Sequence, residues 1–556
     1  MSTSSSPRAT FTNPILWSDL PDPEVLRVGT AYYMSASSFH FSPGAPILKS
    51  LDLVNWEYIG HSVPELLPRD RFSLHANGSG GRPTAYGKGV WASTLKYRES
   101  NGLFYFYSAL QGTDKTHIYT ARNPEEVWTE HSPIERFYYD LGLLIDDDDS
   151  MYIAHGTKTI EVAKLDSDGL MEVTNQVVHT SQSYLEGARM YKIRGTYYIW
   201  LTKAWDTQTV LKSTVGPFGP YEVRDVIRGM RSPVPGAGPP HQGGLVDTPD
   251  GQWYYMAFSD AYPAGRIPVL APVVFDSEGW PSVVADYDNL DGKGQWRLEY
   301  GYPCLGPVPG GDPADIDRPK TGWAFRKRYD FTGSSLEHCW EWNHNPDNSK
   351  WRLEDGQLVL GTGTITESLH LATNTITLRT VGPGSMATFC IDTSKMADGD
   401  RAGASIFRDE SGYIGVHRNA QNSTLVYVDG AQVGPMNPHL PVGWLNGRPV
   451  ALDWKCISNG KVKAQTPLME NRVWLRVKVD VRPTWGEGYD TPARKATLQY
   501  SYDGERFEQL GPSYTLTKST AGYIGYRFGL FNFATLALGG EIRVSHCDFE
   551  TWDPNE

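Results

Sequence analysis

No stretch of the 556-residue chain is apolar for long enough to cross a bilayer as a helix. Cysteine is scarce: Cys304, Cys339, Cys390, Cys456 and Cys547 are far apart, with no CxxC pair. That spacing argues against a zinc site and against a disulfide-built scaffold. An odd number leaves at least one thiol unpaired within the chain, and one bridge in the second half stays open. There is no excess of basic charge. The formal net charge of −13 argues against a nucleic-acid partner, because neutralising phosphates takes clustered Lys and Arg. No long segment carries a convincing helical period. The first residues, Met1 to Ser6, lack the apolar core of a signal peptide. Either the protein is intracellular or a leader was removed; two glycosylation sequons, Asn77-Gly78-Ser79 and Asn422-Ser423-Thr424, hint weakly at secretion.

Aromatic residues are abundant, with 18 Trp, 31 Tyr and 19 Phe. They suit strands, and their flat faces suit sugar rings. A turn residue followed three positions later by tyrosine recurs five times: Gly29 to Tyr32, Gly102 to Tyr105, Asp149 to Tyr152, Gly195 to Tyr198 and Gly251 to Tyr254. Each leads into an apolar run such as Phe104-Tyr105-Phe106-Tyr107. Five hairpins at intervals of roughly 45 to 75 residues are the pattern of propeller blades. Pro303, Pro307, Pro309 and Pro313 then crowd one segment, which reads as a linker. After it, Val473, Leu475, Val477 and Val479 alternate with Trp474, Arg476 and Lys478, giving one buried and one wet face. The expected fold is all-β: a five-bladed β-propeller over residues 1–310, a linker over 311–324 and a β-sandwich over 325–556.

Three acidic residues stand where inner blade strands should begin, and such positions converge on a propeller's central funnel. Asp22 precedes Val25-Leu26-Arg27-Val28 and lies between Pro21 and Pro23, which predicts an extended, stiff backbone. Asp140 and Glu186 precede the third and fourth repeats. Glycosidic cleavage asks for one protonated and one ionised carboxyl. Glu186, between Leu185 and Gly187 beside Tyr184, is set to be desolvated and so to keep a proton. Glu24 reads as a solvated strand-edge charge, and Asp146 to Asp149 as a hairpin turn rather than a calcium loop. Trp56 and Tyr58 read as blade packing.

The order and spacing of Asn13-Pro14-Ile15-Leu16, Pro21-Asp22-Pro23, Ser50 to Glu57, Gly89-Val90-Trp91-Ala92-Ser93, Asp140, Glu186-Gly187 and His241-Gln242-Gly243-Gly244 resemble glycoside hydrolase family 43. The resemblance covers nearly all of the first half, and the family has a known accessory sandwich, a concanavalin-like jelly roll, for the second. It implies Asp22 as general base, Asp140 as pKa modulator and orienter, and Glu186 as general acid of an inverting enzyme. It implies His241 on the funnel axis, often helping to hold a structural metal ion such as calcium, and Arg266 gripping substrate hydroxyls. No catalytic cofactor is called for. Phe39, Phe41, Trp91 and Tyr184 are the aromatic candidates for lining the sugar pocket. Two departures stand out: Asp140-Leu141-Gly142 replaces the usual Asp-Pro-Ser, and Ala188 replaces the usual proline. Within the family, the similarity is to fungal arabinofuranosidases that trim arabinoxylan, including doubly substituted xylose. An exo-acting β-xylosidase on xylo-oligosaccharides is the alternative, and a non-catalytic sugar-binding propeller is the reading from a different class. A secreted monomer, with neither nucleic-acid nor membrane partner, completes the expectation.

Overall fold

The computed structural model describes residues 9–74, 84–203, 206–287, 293–303, 325–420, 422–435, 442–445, 448–485 and 492–555. The expected linker, 311–324, lies outside them, as do Cys304 and the Asn77 sequon. Cys339, Cys390, Cys456 and Cys547 are free thiols.

Five four-stranded antiparallel sheets form the propeller. Their inner strands are Glu24–Val28, Thr94–Arg98, Gly142–Ile145, Leu185–Ile193 and His241–Asp247, in blades I to V. The second strands are Ala31–Ser35, Leu103–Ala109, Met151–Gly156, Thr196–Lys203 and Trp253–Asp260. The five repeated turn residues each join an inner strand to a second strand. All five adopt left-handed backbone, with φ from 62° at Gly29 to 80° at Gly195 and Gly251 and 67° at Asp149. That conformation is cheap for Gly and tolerated by Asp, which explains the repeat. Asp146 N–H donates to the Ser150 carbonyl at 2.9 Å, closing the expected hairpin. Outside the blades, Thr10–Thr12 pairs with Glu299–Gly301, and the buried Asn13 amide bonds the backbone of Leu270 at 3.0 and 2.9 Å. The start of the chain is thereby stitched to the last blade.

The second domain is a sandwich of two large antiparallel sheets. Arg472–Asp480 shows why: every second residue is buried and the intervening ones are half-exposed. The sheet that contains Glu410–Asn419 and Asp400–Phe407 ends on Glu341–Asn343 and then on a strand of the propeller, Phe41–Ser42. Trp342 pairs with Ser42 and Asn343 with Phe41. The two domains share one sheet, so the sandwich is packed on the propeller rather than tethered to it. Buried ions line the seam: Glu341 pairs with Arg379 at 2.9 Å and with Arg527. Tyr58, expected as blade packing, is half-buried at this seam, 5.9 Å from the Arg379 guanidinium.

Candidate active site

Asp22 lies just before the inner strand of blade I. Its backbone is left-handed, φ 55°, not the extended conformation that the flanking prolines predict. A non-glycine residue there, preceding proline, is strained, and the surroundings hold it. Arg189 Nη2 donates to the Asp22 carbonyl at 3.1 Å, and Ser37 Oγ donates to Asp22 Oδ2 at 2.6 Å. The other carboxylate oxygen faces Arg266 Nη1 at 3.6 Å. The bend aims the carboxylate into the funnel, where an extended residue would run on along the strand.

Asp140 is likewise left-handed, φ 48°. Its Oδ2 accepts from Gly187 N–H at 3.2 Å and from Gln242 Nε2 at 3.3 Å. Glu186 opens the inner strand of blade IV. A bulge between Glu186 and Arg189 re-aims its side chain, as bulges do next to sites. Gly187 sits in that bulge at φ 68°, and a Cβ there would lie 2.9 Å from Gln242 Cγ. Tyr139 Oη donates to Glu186 Oε2 at 3.3 Å.

Burial pushes the Glu186 carboxyl up to about 7; the Asp22 charge raises it, while the Arg266 guanidinium and the Tyr139 and Tyr184 hydroxyls oppose the rise. Asp140 is held well above the ordinary carboxylate range by burial, and then by Glu186 and Asp22. Three carboxyls in one dry funnel cannot all ionise together, so the site keeps proton-donating capacity at neutral pH.

Arg266 spans the wall between Asp22 and Asp260, with Nε 3.2 Å from Asp260 Oδ1. Its guanidinium lies 4.6 Å from the Phe258 ring centre and 4.8 Å from that of Tyr523. Tyr523 belongs to the sandwich. Its ring also meets Trp91 edge-on at 5.9 Å, and Trp91 in turn meets Phe39 at 6.3 Å. Phe39, 2 % exposed, therefore braces Trp91 from behind. Tyr184 precedes Glu186 by two residues, and its hydroxyl helps to hold the Glu186 carboxyl down. Phe41 does not join this group: it is fully buried, 3.5 Å from the Arg527 guanidinium in the domain seam, because its strand is claimed by the sandwich sheet.

His241 is buried, with Nδ1 on the Pro239 carbonyl at 2.9 Å and Nε2 3.8 Å from Asp260 Oδ2. Burial lowers its pKa, so the ring is neutral. Among the described residues no group of three or more His, Cys, Asp or Glu side chains is placed to hold a metal. His241 offers one nitrogen, and Asp260 already binds Arg266, so a calcium ion on the axis would draw the rest of its six to eight ligands from water.

Glu24 is fully buried, not solvated. It pairs with Lys96 at 2.5 Å and with Arg189 Nε at 2.9 Å. Arg189 also donates to the carbonyls of Ser93 and Leu141, so one cation behind the site ties blades I, II, III and IV.

A solved structure of a protein described as a GH43 glycoside hydrolase with an engineered active site superposes with a TM-score of 0.86 and 42 % identity, over 98 % of this chain and all of that one. The chain belongs to glycoside hydrolase family 43. The family model, "Glycosyl hydrolases family 43", matches residues 11–281, and a "Beta xylosidase C-terminal Concanavalin A-like domain" matches residues 328–442. A "Beta-xylosidase" of Formosa agariphila is 29 % identical over 98 % of this chain and 90 % of its own length. A "Non-reducing end alpha-L-arabinofuranosidase BoGH43B" of Bacteroides ovatus is 28 % identical over 62 % of this chain and 63 % of its own length.

This family 43 site gathers Asp22, Asp140, Glu186, Arg266, His241, Trp91 and Tyr184. Sequence reasoning missed Arg189, Asp260, Tyr139 and Tyr523. Tyr139 was adjacent to Asp140 and legible as a neighbour. Tyr523 had no local signal, since it falls in a run that reads as strand; the strand in fact begins at Arg527, and Ala521–Tyr523 is a short 3-10 turn with Tyr523 left-handed at φ 58°.

Proposed function

We propose that this enzyme is an inverting hydrolase that releases arabinofuranose side chains from arabinoxylan, including those on doubly substituted xylose. In this reading Asp22 takes a proton from a water that attacks the anomeric carbon. Glu186 gives its proton to the glycosidic oxygen as that bond breaks, and the sugar leaves with inverted configuration. Asp140 holds Gly187 and the Glu186 bulge in place and competes for the same proton. The observation that carries the proposal is the contrast between two carboxyls: Asp22 accepts from Ser37 and faces Arg266, while Glu186 is raised to about 7.

The arabinose assignment is supported by the 42 % identity to a family 43 protein whose engineered form is described as displaying both endo-xylanase and exo-arabinofuranosidase activity. An exo-β-xylosidase is the second reading, favoured by the "Beta-xylosidase" relative and by the match to a β-xylosidase C-terminal domain. Secretion, which a polymeric plant cell-wall substrate calls for, and a monomeric state are part of the same proposal.

NMR of the first turnovers on arabinoxylan tests both layers. Arabinose released with inverted anomeric configuration is expected. Retention would sink the mechanism, and xylose as the sole product would hand the specificity to the second reading. Asp22→Ala should lower turnover by roughly 10²–10⁴-fold while leaving the thermal transition in place.

A further inference from the structure

A second cleft lies away from the carboxylates, where blade I meets the sandwich. Its volume is about 370 Å³, within the roughly 300–1,000 Å³ usual for small-ligand sites. The propeller wall carries His61, Glu65 and Arg69; the sandwich wall carries Trp342, Asn348 and Trp351. The two indoles lie 5.0 Å apart at 44°. Trp342 is 4 % exposed and fixed in the core. Trp351 is half-buried, and its Nε1 donates to Asn348 Oδ1 at 2.9 Å. A packed neighbour and a hydrogen bond thus hold one indole while it lines the cleft.

The charged groups that line the cleft already have partners. Arg69 Nε pairs with Glu65 Oε1 at 2.5 Å, Glu337 pairs with Lys327 Nζ at 2.5 Å, and His61 pairs with the buried Glu341 at 3.2 Å. Burial lowers the His338 pKa, so an ion entering would find little unpaired charge. A neutral ring with one apolar face and a rim of hydroxyls would gain both an aromatic platform and fixed donors and acceptors, the mix that small-molecule sites use. The cleft also sits close to the catalytic funnel. Ser42 lines it, and Ser37 bonds Asp22; five residues of chain span at most ~18 Å.

We propose that this cleft is a second saccharide site, holding a stretch of the polysaccharide remote from the bond being cut. The choice of a pentosan as ligand rests on the function proposed above. Trp351→Ala should raise KM on soluble arabinoxylan several-fold with kcat unchanged, and leave hydrolysis of a small aryl glycoside untouched. In the inactive Asp22→Ala background, the same substitution should weaken arabinoxylan binding several-fold by calorimetry. Unchanged polymer KM and unchanged binding would overturn the proposal. If Trp351→Ala lowers the thermal midpoint enough to confuse the reading, Arg69→Ala at the exposed rim carries the same two measurements. Should the wild-type enzyme cleave no pentosan, the function reading fails separately. The binding arm then runs against xylan, β-glucan and galactan, where a loss caused by Trp351→Ala supports the cleft and no loss on any of them removes it.

Discussion

At the scale of single residues, the site works by giving like groups unlike surroundings. Glu186 is buried and raised to about 7; its protonated form is the one that can serve as acid, so kcat/KM should fall as pH rises through about 7. Tyr139 lends its hydroxyl to the ionised form and so holds the value down. Tyr139→Phe should shift that alkaline limb to higher pH, a change that lost packing alone would not produce. A limb that stays or moves down removes Glu186 from the acid role. Glu186→Gln should cost most on natural polysaccharide and least on activated aryl glycosides, whose leaving groups need little protonation. Asp22 and Asp140 were legible from their places ahead of inner strands, and Glu186 from its place at the start of one. Their backbone was not. Pro21 and Pro23 argue for an extended Asp22 on local sterics, and only contacts from distant parts of the chain, Ser37 and Arg189, impose φ 55°.

At the scale of elements, the inner strands are held together at the axis by buried charge. Glu24 reads as exposed because carboxylates usually are; the cations that bury it, Lys96 and Arg189, come from blades II and IV, 72 and 165 residues along the chain by position in the sequence. A period-two pattern shows which face of a strand is buried, but not that a paired ion sits there. The turns, by contrast, were fully legible, since a left-handed residue every blade selects Gly or Asp locally. Removing one partner of a buried pair strands the other charge and typically costs about 3–5 kcal/mol. Arg189→Leu should therefore destabilise the propeller by that order in urea unfolding, and adding Glu24→Gln should recover part of the loss. Two independent, additive losses would mean that the pair is not coupled.

At the scale of the whole molecule, the sandwich is part of the catalytic half. It supplies Tyr523 over Arg266, caps Asp19 through Gly525 N–H at 2.9 Å, and completes the Phe41–Ser42 pairing. Asp19 in turn accepts the Arg266 N–H at 2.8 Å, so deletion from residue 325 onward should both abolish activity and expose an apolar strand edge that aggregates. None of these cross-domain contacts was legible, because they join residues up to 506 positions apart. The same seam sets the response to acid. His40, His344 and His370 are fully buried around Tyr86, with ring centres 4.6, 4.8 and 6.0 Å from it. Burial holds His344 to about 3 and His370 to about 4, and His40 well below the ordinary value, with Arg527 opposing its protonation and Glu341 favouring it. An unfolded histidine titrates near 6.5. Above that pH both states are neutral and no stability is lost; as pH falls from about 6.5 toward 4, the unfolded chain binds protons that the folded seam refuses, and stability drops. Raised carboxyls such as Glu186 and Asp140 act in the opposite direction, since the folded state keeps protons that the unfolded chain releases. The wild-type slope is thus a sum of both signs, and the seam is isolated by a difference. His344→Phe removes one such proton, so between pH 6.5 and 4 its stability should fall less steeply than the wild type, by up to about 1.4 kcal/mol per pH unit. Denaturant unfolding of both proteins at several pH values reads this directly, and parallel curves would show that His344 is not held neutral in the folded seam.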